Sequence, residues 1–181
     1  MEGTLFIIRP VERRDREALI KNYYSYQKEI KRDVHFGLSS QPKIPTLKEE
    51  RKWFAGLMKD IKRGDAIASI AERNGHVVGM CDVHRYKRMA ETLHIAELGI
   101  AIRKDSRGIG IGEMLLRDII ERSKHKFEML RLSVFATNDA KKLYKKVGFV
   151  EFGVLPNGLK RRRTYIDNVF MYLNLKERLG P

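Results

Sequence analysis

The sequence predicts an α/β (α+β) domain in which a mixed central sheet of six to seven strands is flanked by about four helices. Two patterns carry this expectation. Apolar runs with strand character and apolar runs at helical spacing follow one another in mixed order, and a glycine-rich loop at residues 107–112 joins one of the strand-like runs to a helix-like one. The length agrees: 181 residues with 43% hydrophobic side chains suffice for one core, so residues 1–181 are expected to form a single domain.

Each element has its own signal. Residues 4–9 are rich in β-branched and aromatic side chains and stop at Pro10, which reads as a strand closed by a breaker. From Asp15 onward Leu19, Ile20, Tyr23, Tyr24 and Ile30 recur near helical spacing, until residues 37–45 break the pattern. Thr46 and Glu49 match a capping box, in which each side chain satisfies a free amide at a helix start. Trp53, Phe54, Leu57, Met58 and Ile61 then form the buried stripe, and Gly64 ends the helix. Residues 66–71 and 77–83 flank Asn74-Gly75, a pair that tolerates the positive φ of a tight hairpin turn. Residues 93–102 read as a strand and residues 113–125 as a helix with Leu115, Leu116, Ile119 and Ile120 on one face. A strand at 129–135, a short helix at 139–147 and strands at 149–155 and 169–175 complete the order. Pro156-Asn157-Gly158 reads as a turn leading into a loop between the last two strands.

Composition narrows the classes of function. No apolar run approaches the length of a membrane span, and residues 1–10 lack a signal-peptide pattern, so a soluble protein of the cytoplasm, without membrane partners, is expected. One cysteine cannot form an internal disulfide, and five scattered histidines lack ligand spacing, so no metal is expected. The formal charge of +14 makes polyanions natural partners without naming one.

A helix N-terminus carries unpaired amides and partial positive charge, so a glycine turn before it lets a diphosphate approach the backbone. Arg107, Gly108, Ile109, Gly110, Ile111 and Gly112 provide such a turn. Glu113 follows where a nucleotide-hydrolysing loop would place Lys-Ser or Lys-Thr. The run Arg107-x-x-Gly110-x-Gly112 resembles the Q/R-x-x-G-x-G/A loop of the GNAT acetyltransferases. Ala140, Leu143, Tyr144, Gly148 and Phe149 form a second block, A-x-x-L-Y-x-x-x-G-F, that is similar to the same family's later helix and strand. Ile8-Arg9-Pro10, Asp15, Asn74-Gly75 and the stretch from Ala96 to Ile100 also look like GNAT elements, so the likeness spans nearly the whole chain.

The resemblance implies an acetyl-CoA-dependent N-acetyltransferase acting on a primary amine by direct attack in a ternary complex. It implies that residues 107–112 and Glu113 hold the coenzyme diphosphate, with backbone at Ile100, Ala101 and Ile102 holding pantetheine and the thioester oxygen. Tyr144 becomes the general acid and Glu97 the candidate general base. The family's pantetheine-binding Asn is replaced by Thr137, with Asn138 next to it; either could take the role, while Asp139 is the expected helix cap. Cys81 is read as a small core residue away from both cofactor blocks, and His84 or Tyr86 as second choices at the acceptor site. Lys141, Lys142, Lys145 and Lys146 include candidates for the coenzyme's 3′-phosphate. Lys160, Arg161, Arg162 and Arg163 form a basic loop expected to border the acceptor, to repel a polyamine and to favour an anionic partner or a protein N-terminus. The alternative is a basic nucleic-acid-binding or non-catalytic coenzyme A-binding protein of the same fold, and a homodimer is compatible with either.

Overall fold

The computed structural model describes residues 6–38, 41–87 and 89–176. Seven strands form one sheet in the order β1-β2-β3-β4-β5-β7-β6. β1 (Phe6–Pro10) is the first; Thr4 and Leu5, expected to open it, lie outside the described residues. A short 3-10 turn at Arg13–Asp15 then leads into α1 (Arg16–Arg32). The junction is pinned by buried Asp15, which accepts from both terminal nitrogens of Arg9 at 2.8 Å and from the Glu12 amide at 2.8 Å. Burial alone would push the Asp15 pKa up, but these donors outweigh it and hold the carboxyl below its ordinary range.

α2 (Leu47–Arg63) begins with both halves of the expected box: Glu49 N–H donates to Thr46 Oγ1 and Thr46 N–H to Glu49. It ends at Gly64, whose φ of 79° is left-handed. β2 (Ala66–Arg73) and β3 (His76–Arg85) turn through Asn74 and Gly75, at φ 48° and 78°. β4 (Ile95–Ile102), α3 (Ile111–Ser123), β5 (Met129–Phe135) and α4 (Ala140–Lys146) follow, each within two residues of its expected limits.

The last hairpin departs from expectation. β6 (Val150–Arg161) and β7 (Thr164–Asn174) are longer than expected, and the connection lies between them at residues 162–163, with Arg162 at φ 56°. Pro156-Asn157-Gly158 forms a bulge within β6, where the register slips between Leu155 and Leu159. The Asn157 amide donates to Asp167 Oδ1 at 2.8 Å across the bulge. Asn157 takes a left-handed φ of 53°, as in a turn, but pairing resumes beyond it, so these residues do not connect the two strands.

The two faces of the sheet are dressed differently. Ala96 and Leu98 of β4, Leu130 and Leu132 of β5, and Leu115, Leu116 and Ile119 of α3 form the larger core. On the opposite face α1 and α2 cover β2 and β3 through Leu19, Phe54, Leu57 and Ile70. β4 and β5 run parallel but pair only at Ile95↔Met129, Ala96↔Leu130 and Glu97↔Arg131. Beyond Glu97 the two strands separate, and the sheet splits beside the start of α3.

Candidate active site

The glycines of the loop have distinct duties. Gly108 and Gly110 sit at φ 77° and 91°, and a Cβ on either would meet nothing within 4 Å. The turn needs their freedom, and the space above them is open. A Cβ on Gly112 would lie 2.9 Å from Leu143 Cδ2 and 3.3 Å from Ile102 Cδ1, so that glycine lets α3 approach β4 and α4. No side chain caps α3. The Gly110 carbonyl accepts from Glu113 and Met114, at 3.1 and 3.2 Å, whereas the Ile111 and Gly112 amides precede the first helical acceptor. Open space and unfilled donors fit a diphosphate.

Side chains around the loop are already engaged. The Arg107 guanidinium donates to the Ile102 carbonyl at 2.8 Å, pairs with both oxygens of Glu29 at 2.8 and 2.9 Å, and lies 4.7 Å from the Phe36 ring centre. Arg107 therefore braces the loop against α1. Lys146 and Arg117 hold the Glu113 carboxyl below its ordinary range, at 2.6 and 2.8 Å. Lys142 pairs with Asp139 and Lys145 with Glu151, at 3.1 and 2.7 Å. Such exposed pairs are weak enough to exchange for a phosphate.

The split between β4 and β5 brings the other candidates together. Ile100, Ala101 and Ile102 lie on the part of β4 that β5 leaves unpaired. Tyr144 is 7% exposed and packs edge-on to Phe149 in the core beneath that strand, with Ile100 and Ile102 against the same cluster. Among the described residues its hydroxyl has no hydrogen-bond partner. Burial, with a smaller effect of Cys81, pushes its pKa up, so the phenol keeps its proton. Cys81 is not remote: it pairs with Ile100 in register and is fully buried, and burial raises its thiol pKa well above the ordinary value.

At the end of β5, Thr137 is exposed and Asn138 half-buried. Asn138 Oδ1 accepts from the Ala140 amide at 2.9 Å, so Asn138 caps α4 and Asp139 does not. A Cβ on Gly37 would lie 1.8 Å from Asn138 Nδ2, which places that amide against the segment after α1.

Glu97 lies on the opposite face of β4 from Ala96 and Leu98, across from His84 on β3 and beside Arg131 on β5. It is half-buried and, among the described residues, has no hydrogen-bond or ion-pair partner. His84 Nε2 donates to Asp82 Oδ2 at 2.8 Å, and this bond raises the His84 pKa. Arg131, which sequence reasoning passed over, lies 4.0 Å over the Tyr86 ring, its buried Nε without a partner. Its only sequence signal is a cation alternating with Leu130 and Leu132.

The basic loop is partly consumed by structure. Arg161 donates to the Phe36 and Leu38 carbonyls at 2.5 Å and lies 4.8 Å over the Phe135 ring. Arg162 donates to the Lys31 carbonyl, and Lys160 lies over Tyr165. The β6–β7 hairpin thus clasps the segment after α1, and Arg163 stays exposed.

This arrangement has known counterparts. The Acetyltransferase (GNAT) domain family matches residues 64–151, from the end of α2 to the start of β6. A Bacillus subtilis (strain 168) protein, provisionally named a ribosomal protein bS18-alanine N-acetyltransferase, is 32% identical over 114 residues, covering 60% of this chain and 68% of that protein. The chain belongs to the GNAT acetyltransferase family. Among GNAT structures, the ribosomal-protein-alanine N-acetyltransferase of Brucella melitensis superposes with a TM-score of 0.79 at 25% identity, covering 93% of this chain and 99% of that one. The yncA protein of Salmonella typhimurium, solved with its cofactor acetyl-CoA, gives 0.82 at 17% identity and covers 97% of both chains. The GNAT fold is therefore present along the chain.

Proposed function

We propose that this protein is an acetyl-CoA-dependent N-acetyltransferase that moves an acetyl group to a primary amine by direct attack in a ternary complex. The observation that carries this is the convergence of three features at one place: the β4–β5 split, the uncapped start of α3 and the buried Tyr144. Bound acetyl-CoA would supply an activated acyl carbon. The Ile111 and Gly112 amides, with the turn at Gly108 and Gly110, suit its diphosphate. The Ile100 amide and carbonyl and the Ile102 amide face the split and suit the pantetheine arm and thioester, whereas Ala101 turns its backbone to Met80 on β3 and the Ile102 carbonyl accepts from Arg107.

From the other face, Glu97 would take the proton that makes the amine nucleophilic, with His84 as the nearest alternative base. Tyr144 Oη would provide the proton required by the departing thiolate, in a site where burial keeps it protonated. Residues 1–181 act as one domain in the cytoplasm. A nucleic-acid role loses support because Arg161 and Arg162 spend their donors on main-chain carbonyls.

The test is an acceptor screen with acetyl-CoA and thiol detection, covering amino acids, polyamines, aminoglycosides and N-terminal peptides. Amine-dependent thiol release is expected. Coenzyme A binding without release for any acceptor would instead establish the non-catalytic alternative.

A further inference from the structure

On the face of the sheet that carries Glu97, α1, α2, the segment between them and the strands β3 and β4 line a partly open cavity of about 230 Å³. Its floor includes Ala101, in the split part of β4, and Met80, its partner in register on β3. Glu50 projects into it from α2 and is 5% exposed. Among the described residues Glu50 has no hydrogen-bond or ion-pair partner. The lining also holds Tyr23, whose buried hydroxyl is unpartnered. Among the described residues, no lysine or arginine lines the cavity.

A buried carboxylate without a cation costs several kcal/mol, and either a proton or an incoming cation relieves it. Burial, and then neighbouring Glu49, raise the Glu50 pKa, in keeping with a site that lacks its counter-charge. Glu50 also falls on the stripe of Phe54 and Leu57, where packing alone would place an apolar residue. Leu19 and Ile30 give the cavity an apolar wall suited to a methylene chain.

We infer that this cavity holds the far end of a small aliphatic diamine, with one ammonium on Glu50 and Tyr23 and the other amine directed past Ala101 toward the split in the sheet. This reverses the expectation that the basic loop disfavours such acceptors, because Arg161 and Arg162 are turned onto main-chain carbonyls. Where the reacting amine sits rests on the acetyl-transfer function proposed above; the pocket itself does not.

Trp53 lines the cavity and is the chain's single tryptophan, so its fluorescence reports occupancy. The full chain is titrated with 1,5-diaminopentane, 1,5-pentanediol and glutarate, with and without coenzyme A. The diamine should saturate at a concentration at least about tenfold lower than the diol, as expected for one charge-assisted hydrogen bond, and glutarate, repelled by Glu50, should bind worst. Glu50→Gln should bring diamine and diol within twofold, and Tyr23→Phe should weaken the diamine several-fold. Equal binding of diamine and diol by wild type, or a preference that survives Glu50→Gln, overturns the assignment. Thiol release from acetyl-CoA with the diamine separates the two ideas. A Glu50-dependent preference without release keeps the pocket and removes the transferase, whereas release without preference does the reverse.

Discussion

Tyr144 holds its proton where bulk water has little access, and Tyr144→Phe keeps the ring while removing that proton. General acid catalysis contributes about 10²–10⁴-fold, so kcat should fall within that range in both single-turnover and steady-state assays, with coenzyme A affinity little changed. A Phe variant within about twofold of wild type in both would refute the role. His84 offers a check by titration. Its bond to Asp82 raises its pKa above the ordinary 6.5, so NMR should find a higher midpoint that falls back in Asp82→Asn. Any stability gained from that pair is fully present below the unfolded pKa and is lost as pH rises through the folded one. Asp15 behaves oppositely: Arg9 holds it charged, so its contribution is lost as pH falls through its lowered folded pKa. Asp15→Asn should destabilise by about 3–5 kcal/mol in denaturant unfolding, because it leaves a part-buried guanidinium short of its partner.

At the level of single elements, α3 makes the sharpest demand on sequence. Gly110→Asp would place a carboxylate at a left-handed position beside the open amides, so calorimetry should find coenzyme A binding abolished while the fold persists. Unchanged binding would remove the loop from the site. What could be read in advance was local. Thr46 with Glu49 and Asn74 with Gly75 act within a few residues and appear as expected, and the glycine turn is present but ends at Gly110, α3 starting two residues earlier than expected at Ile111. Contacts between distant segments left no such trace. Arg161 looked like one cation in a basic run until folding brought it to the segment after α1. Arg107 matched a cofactor motif yet spends its side chain on Glu29, 78 positions away. Glu50 did leave a mark, an acid on an apolar stripe, but only packing shows that it faces a cavity.

Across the whole molecule, the Arg161 clasp links the C-terminal hairpin to the segment between α1 and α2. Arg161→Ala would leave main-chain carbonyls without their donor, a loss of about 1–3 kcal/mol. The melting temperature should fall by about 2–4 °C for each kcal/mol in a chain of this size. KM for the amine should rise more than coenzyme A affinity falls, since Leu38, held by Arg161, lines the proposed acceptor cavity, whereas Phe36 reaches the cofactor loop only through Arg107. Equal losses for both substrates would mean general loosening.

The split sheet has a further consequence for how the protein unfolds. Among the described residues, three residue pairs carry the ladder between β1–β4 and β5–β7–β6, so the two leaves are joined more by α3, α4 and their shared core than by strand pairing. A ligand seated in the gap touches both leaves and acts as a rivet. At a hundred times its Kd it would add about 2.7 kcal/mol. The added protection should concentrate at the seam: amide hydrogens of residues 98–102 and 132–135 should slow in hydrogen exchange far more than those of the β2–β3 hairpin. Cellular supply of the coenzyme would then set the protein's lifetime as well as its turnover, with the unloaded chain opening first along that seam and meeting proteases sooner.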